Sequence, residues 1–172
     1  ESAAGEYPVE AVEAMARVCL EAEKEYLVSH DKRMANTSPG TIEEAIARAT
    51  MFTASGLQIR AIAALTQSGV TALLMSRRSS KVPIFALSPN EETRRRVTLF
   101  RGVYPVEFGE GLNDPEIILN LAEEELLQRG VVRNGDIMVM TIGEPVGKSG
   151  GTNTMKIIKV GEWKLRQGMD VT

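Results

Sequence analysis

The chain has 172 residues, of which 43% are apolar, and its 20 basic and 23 acidic side chains leave a formal net charge of −3. That apolar share is enough for one core of domain size, and the near balance of charge supplies no broad basic face for DNA, RNA or an anionic bilayer. A single cysteine, Cys19, and a single histidine, His30, argue against a disulfide framework, a Cys-based zinc cluster, a multi-His metal centre or a Cys–His catalytic pair. No stretch approaches the roughly 18 apolar residues of a membrane span, and Glu1–Gly5 lacks the basic start and apolar run of a signal peptide. The chain therefore reads as soluble, cytoplasmic and untargeted, with no nucleic-acid or membrane partner.

From Tyr7-Pro8 onward, Val12, Met15, Ala16, Cys19, Leu20, Tyr26 and Leu27 recur at three- and four-residue spacing, which predicts an amphipathic helix with Pro8 in its first turn. Cys19 falls on its apolar face and is expected to be packed, and His30 to sit at its end. Periodicity fades from His30, and Asn36, Thr37, Ser38, Pro39 and Gly40 are turn formers, so residues 31–40 read as a linker between a helix at 1–30 and a domain at 41–172. Thr41 and Glu44 form a capping box ahead of a helix to about Ser55. Strand-length apolar runs then follow at Ile59–Leu65, Ile84–Leu87, Val103–Phe108 and Ile137–Ile142. Helical stretches separate them: Val70–Arg77, a segment opened by a Ser88-Pro89-Asn90-Glu91 capping box, and one running from Asp114-Pro115 to Gly130. Strand alternating with helix predicts a mostly parallel sheet covered on both faces. The last strand, Asn153–Val160, follows a glycine-rich loop with no room for a crossover helix, so it should run antiparallel at an edge. The tail 161–172 reads as polar and mobile at its end.

Ligands of open α/β sheets bind beyond the carboxyl ends of the strands, which directs attention to two loops. Thr66-Gln67-Ser68-Gly69-Val70-Thr71 sets three hydroxyls and several backbone N–H groups at a helix start, which suits a phosphate and equally suits an ordinary cap and turn. Gly143–Thr152 has four glycines and Lys148 between two strands that a shorter turn could join, so it can fold over a ligand. Its Gly147-Lys148-Ser149 is not a P-loop, because the preceding glycine, Gly143, is one residue too near and a strand follows instead of a helix. The basic runs Arg77-Arg78 and Arg94-Arg95-Arg96 read as solvated faces, with an anion contact or intersubunit pairing as the alternative. Glu123-Glu124-Glu125 has no metal-ligand signature, and nothing assembles a nucleophile, base and oxyanion hole, so no catalytic or metal-binding residue is expected.

The stretch Glu1-Ser2-Ala3-Ala4-Gly5-Glu6-Tyr7-Pro8-Val9-Glu10-Ala11-Val12 resembles the segment near the end of the catalytic barrel of pyruvate kinase. The resemblance continues in order through Thr66–Gly69 with Thr71, Pro83-Ile84-Phe85-Ala86, Phe100–Val106, Gly135-Asp136 and Thr152-Asn153-Thr154-Met155. It implies a three-layer α/β/α sandwich with a five-stranded mixed sheet whose last strand is antiparallel, preceded by the terminal barrel helix at 1–30. It further implies a regulatory portion of an enzyme that transfers phosphoryl from phosphoenolpyruvate to ADP in glycolysis, with magnesium and potassium serving a barrel outside this segment. The segment alone is expected to be inactive.

The same resemblance assigns Thr66, Gln67, Ser68, Gly69 and Thr71 to an effector phosphate and Lys148, Ser149 and Gly150 to a lid over the sugar. Gln67 stands where fructose-bisphosphate-responsive animal enzymes can carry lysine, and the tryptophan-bearing second-phosphate loop has no counterpart in Gly109–Pro115. A sugar monophosphate or AMP is therefore the expected effector. The segment Ser76–Ser80 is similar to the bacterial branch that answers to such ligands, with Arg77 or Arg78 as further contacts or as surface pairs. Family members are commonly homotetramers, and strand 154–160 is the expected site of pairing. The alternative is an assembly module without a ligand response.

Overall fold

A computed structural model describes residues 2–34, 38–78 and 80–162, side chains excepted over 24–34. The expected mobile tail lies outside the described residues from 163 onward, as does the His30 side chain. The chain divides into two compact units, Glu1–Ser38 and Pro39–Thr172.

The first unit is a single helix, α1 (Pro8–Met34). It continues past His30, so His30 is not its terminus: Lys32, Arg33 and Met34 are good helix formers, and the loss of apolar periodicity there marks a change of surface, not of backbone. Cys19 is exposed, contrary to the packing expected of it. A lone helix has no second element within its own unit to cover its apolar stripe.

The second unit runs α2 (Ile42–Gly56), β1 (Ile59–Leu65), α3 (Val70–Ser76), β2 (Ile84–Ser88), α4 (Glu91–Val97), β3 (Val103–Glu107), α5 (Pro115–Gln128), β4 (Ile137–Gly143) and β5 (Thr152–Lys159). The five strands order as β3-β2-β1-β4-β5, all parallel except the antiparallel β4–β5 pair. The central position of β1 explains its composition. Ala61, Ile62, Ala63 and Ala64 are all fully buried, as a strand covered on both faces requires. Edge strand β3 instead buries only Val103 and Val106, one toward each face, and leaves Tyr104, Pro105 and Glu107 exposed.

Helix α5 packs one face of the sheet, where Ile118, Leu119, Ala122 and Leu126 meet Ala61, Ala63, Met138 and Met140. Helices α2, α3 and α4 contribute Ala47, Met51, Ala72, Met75 and Val97 to the opposite face, against Ile62, Ala64, Ala86 and Val139. The result is the expected three-layer α/β/α sandwich. From β1 the chain steps outward to β2 and β3 through α3 and α4, then α5 returns it across the other face to β4 on the far side of β1. The crossover that leaves β1 (α3) and the one that enters β4 (α5) thus lie on opposite faces, and the carboxyl ends of these two neighbouring strands open a crevice at this switch point.

Local signals start the helices. Thr41 Oγ1 accepts from the Glu44 N–H at 3.1 Å, while the Glu44 carboxylate reaches back to Gly40 N–H at 3.0 Å, one residue earlier than a standard capping box. For α4 the cap is Asn90, whose side chain accepts from Glu92 N–H at 3.0 Å, and not Ser88. Ser88 is fully buried as the last residue of β2, and its Oγ accepts from Asn90 N–H at 3.2 Å, so the strand claims it before the helix can. Asp114 caps α5 through Glu116 and Ile117 N–H, with Pro115 in the first turn.

Candidate functional site

A cleft of about 540 Å3, counted with its open mouth, lies beyond the carboxyl ends of β1, β2, β3 and β4. Leu65, Leu87, Phe108, Leu112, Ile118 and Val146 form its apolar floor and walls. Its polar lining includes Thr66 and Gln67 from the end of β1, Lys148 and Gly150 from the β4–β5 loop, Thr152 from β5, and Glu43 from the first turn of α2. An apolar pocket with a few converging polar groups is the usual form of a small-molecule site.

The β1–α3 turn is built to hold its shape. Thr66 Oγ1 accepts from Gly69 N–H at 2.9 Å. From α4, Thr93 Oγ1 donates to the Gln67 carbonyl at 2.7 Å and Arg96 Nη2 to the Ser68 carbonyl at 2.6 Å. Gly69 caps α3 at φ 78°, and a Cβ there would lie 2.9 Å from Val97 Cγ1. Only glycine meets both demands, the left-handed backbone and the close approach of α4.

The β4–β5 loop is tied at its root. Asn153 accepts from Glu144 N–H at 3.0 Å and donates to the Glu144 carbonyl at 2.7 Å. Beside it a Cβ on Gly143 would fall 2.8 Å from the Gly151 carbonyl oxygen, so two loop ends approach as only glycine permits. Lys148 and Glu43 are the cleft's charged lining residues, one of each sign. Lys156, on the neighbouring strand, has its pKa lowered by burial, an effect that the Glu116 and Glu144 carboxylates partly oppose.

The residues expected to take a phosphate divide in two. Thr66 and Gln67 line the cleft, whereas Ser68 and Gly69 shape the turn beside it. Thr71 is fully buried, its Oγ1 donating to Glu43 Oε1 at 2.6 Å and lying 2.7 Å from Thr152 Oγ1. Of the lid residues, Lys148 and Gly150 line the cleft and Ser149 does not. Arg77 and Arg78 follow the carboxyl end of α3, and Arg78 lines a separate recess of about 310 Å3 with Arg101 near the amino ends of β2 and β3. The Arg94–Arg96 run is not merely a solvated face: Arg94 donates to the Ser88 and Pro89 carbonyls, Arg96 holds Ser68, and Arg95 pairs with Glu91.

Nothing in the sequence marks Glu43, because an acidic first-turn residue is explained locally by the helix dipole. Its position against Thr71 depends on how α2 lies over the sheet.

These features define an open, doubly wound α/β domain with a ligand-sized cleft at its switch point. Residues 44–158 match the family model described as pyruvate kinase, alpha/beta domain. Over 161 residues the chain is 42% identical to pyruvate kinase of Buchnera aphidicola subsp. Acyrthosiphon pisum and to pyruvate kinase II of Salmonella typhimurium, covering 93% of this chain and 33% of each relative. Pyruvate kinase of Geobacillus stearothermophilus is 38% identical over 159 residues, 91% of this chain and 27% of that protein. The chain belongs to the pyruvate kinase family and carries its C-terminal α/β domain. It spans only 27% to 33% of the length of these curated relatives.

Proposed function

We propose that this domain is the regulatory part of a pyruvate kinase and that its switch-point cleft binds a phosphorylated effector, a sugar monophosphate or AMP. The single observation that carries this is the convergence, at one cleft, of the Thr66–Gly69 turn at a helix start and a loop bearing Lys148. The turn offers backbone N–H groups and the loop a cation, the two means by which proteins hold a phosphate. The apolar floor then takes the remaining face of a sugar or base.

The whole transferase would move a phosphoryl group from phosphoenolpyruvate to ADP in the cytoplasm, giving pyruvate and ATP. Among the described residues, no three His, Cys, Asp or Glu side chains converge to hold a cation. Magnesium and potassium would serve the catalytic barrel of the whole protein. An effector shifts such an enzyme only by its difference in affinity between two states.

The test is calorimetric titration of the chain with AMP, ribose 5-phosphate, glucose 6-phosphate and fructose 1,6-bisphosphate, repeated with Ser68→Asp. Saturable binding of one monophosphate, lost in the variant, is the expected outcome. Heats of dilution alone from a folded chain would reject it.

A second reading, subunit assembly without a ligand response, draws on β5. Among the described residues no strand pairs with its outer backbone row, and Ile157 on it is 46% exposed, as a homotetramer contact would use. Sedimentation equilibrium showing dimers whose stability ignores every one of the four ligands would favour that reading.

A further inference from the structure

We propose that Glu43 is an internal competitor for the effector's phosphate, so that a phosphomonoester binds by taking the Thr71 hydroxyl proton away from the Glu43 carboxylate. The inference rests on the effector reading above and adds a specificity-determining residue to it.

The argument turns on one proton. Thr71 Oγ1 donates to Glu43 Oε1 at 2.6 Å and lies 2.7 Å from Thr152 Oγ1. A threonine hydroxyl has a single hydrogen, and an ionised carboxylate can only accept. Thr71 therefore gives its hydrogen to Glu43, and Thr152 gives its own to Thr71. The chain Thr152 to Thr71 to Glu43 is complete, which leaves Thr71 nothing to donate to a ligand. Thr71 is fully buried, so its hydroxyl cannot turn outward to water for an alternative.

Glu43 itself is only half-buried and lines the cleft together with Thr66, Gln67 and Lys148. Its carboxylate thus holds one of the expected phosphate positions, contributed by α2 and not by either ligand loop. A phosphate oxygen that accepts the Thr71 proton must occupy the place of Glu43 Oε1, and a fixed carboxylate beside a phosphate dianion is repelled as well as displaced. A neutral sugar brings no charge to offset the loss of Glu43, whereas a phosphate has several acceptor oxygens, so one can take the Thr71 hydrogen while another meets Lys148. The domain accordingly selects phosphomonoesters over neutral sugars by exchange, and the arrival of one releases the first turn of α2 from the first turn of α3.

The experiment is calorimetry with inorganic phosphate and ribose 5-phosphate on the wild-type chain, Glu43→Gln and the charge-matched control Glu125→Gln. Glutamine keeps an acceptor for Thr71 and removes the charge, and Glu125 belongs to an ion pair with Arg129 near the end of α5. Urea unfolding of each variant verifies that the fold is kept. Glu43→Gln is expected to tighten both probes by about ten-fold, with Glu125→Gln unchanged. Equal or weaker binding by Glu43→Gln, while the wild type binds ribose 5-phosphate, overturns the competitor role and leaves the effector reading standing. A tightening shared equally by Glu125→Gln also overturns it, since bulk charge would then be the cause. Absence of binding in all three folded proteins overturns both.

Discussion

The two loops that frame the cleft are secured in opposite ways. The Thr66–Thr71 turn is gripped from outside, by Thr93 and Arg96 of α4 on its carbonyls and by Val97 against Gly69. The Gly143–Thr152 loop is fastened at its root, by Asn153 on Glu144 and by the Gly143–Gly151 approach. A group held by side chains from a packed helix keeps its geometry whether or not a ligand is present. A group held at the root can change position at its tip with little disturbance to the sheet. The first arrangement suits recognition by fixed N–H donors, and the second suits closure.

Substitutions can break that contrast. The largest effect should come from Gly69→Ala, which places a Cβ at φ 78° and 2.9 Å from Val97 Cγ1. Left-handed backbone and overpacking together should cost about 2–4 kcal/mol in urea unfolding. A loss below about 1 kcal/mol would mean that the turn is not gripped by α4. Lys148→Gln should behave in the reverse manner. Its side chain belongs to the root-fastened loop, so the unfolding midpoint should hold while affinity for ribose 5-phosphate falls by about ten-fold, the scale of one charge-assisted hydrogen bond. A shifted midpoint with intact affinity would exchange the roles of the two loops.

The smallest effect concerns the helix that supplies Glu43. The Glu44 carboxyl is held below its ordinary value first by Gly40 N–H and then by Arg48, with desolvation opposing. A depressed carboxyl pKa gives stability that is present above the unfolded value of 4.5 and lost as pH falls through the folded value. Glu44→Gln should therefore lower the melting temperature slightly at neutral pH, and the difference from wild type should vanish in acid. A constant difference across that range would assign the effect to packing, not to charge.

How far the sequence discloses this arrangement depends on the range of the forces involved. Strand identity in β1 and β4 is legible because continuous apolar runs mean burial on both faces, and the antiparallel β5 because its loop has no room for a crossover. The strand order, and hence the switch point, is not legible in the sequence, since nothing in α3 or α5 alone says which side of β1 the next strand takes. The Thr66–Gly69 turn is visible as composition, but the grip on it is not: Thr93 and Arg96 read as ordinary members of a short polar helix. Ser88 and Asn90 compete for the same cap, and burial at the end of β2 decides between them. Glu43 is hidden most completely, because its first-turn position already accounts for it.

Pro105 gives the sheet a direction that its topology alone does not. Phe108 N–H donates inward to the Ser88 carbonyl at 3.3 Å, so by the two-residue alternation of a strand the backbone of Pro105 faces out from β3, where it has no hydrogen to offer. At the other end of the sheet, among the described residues, no strand pairs with the outward row of β5. In terms of valence β3 is therefore one donor short of a complete outer ladder, and a strand laid along it would leave an acceptor unpaired at that rung.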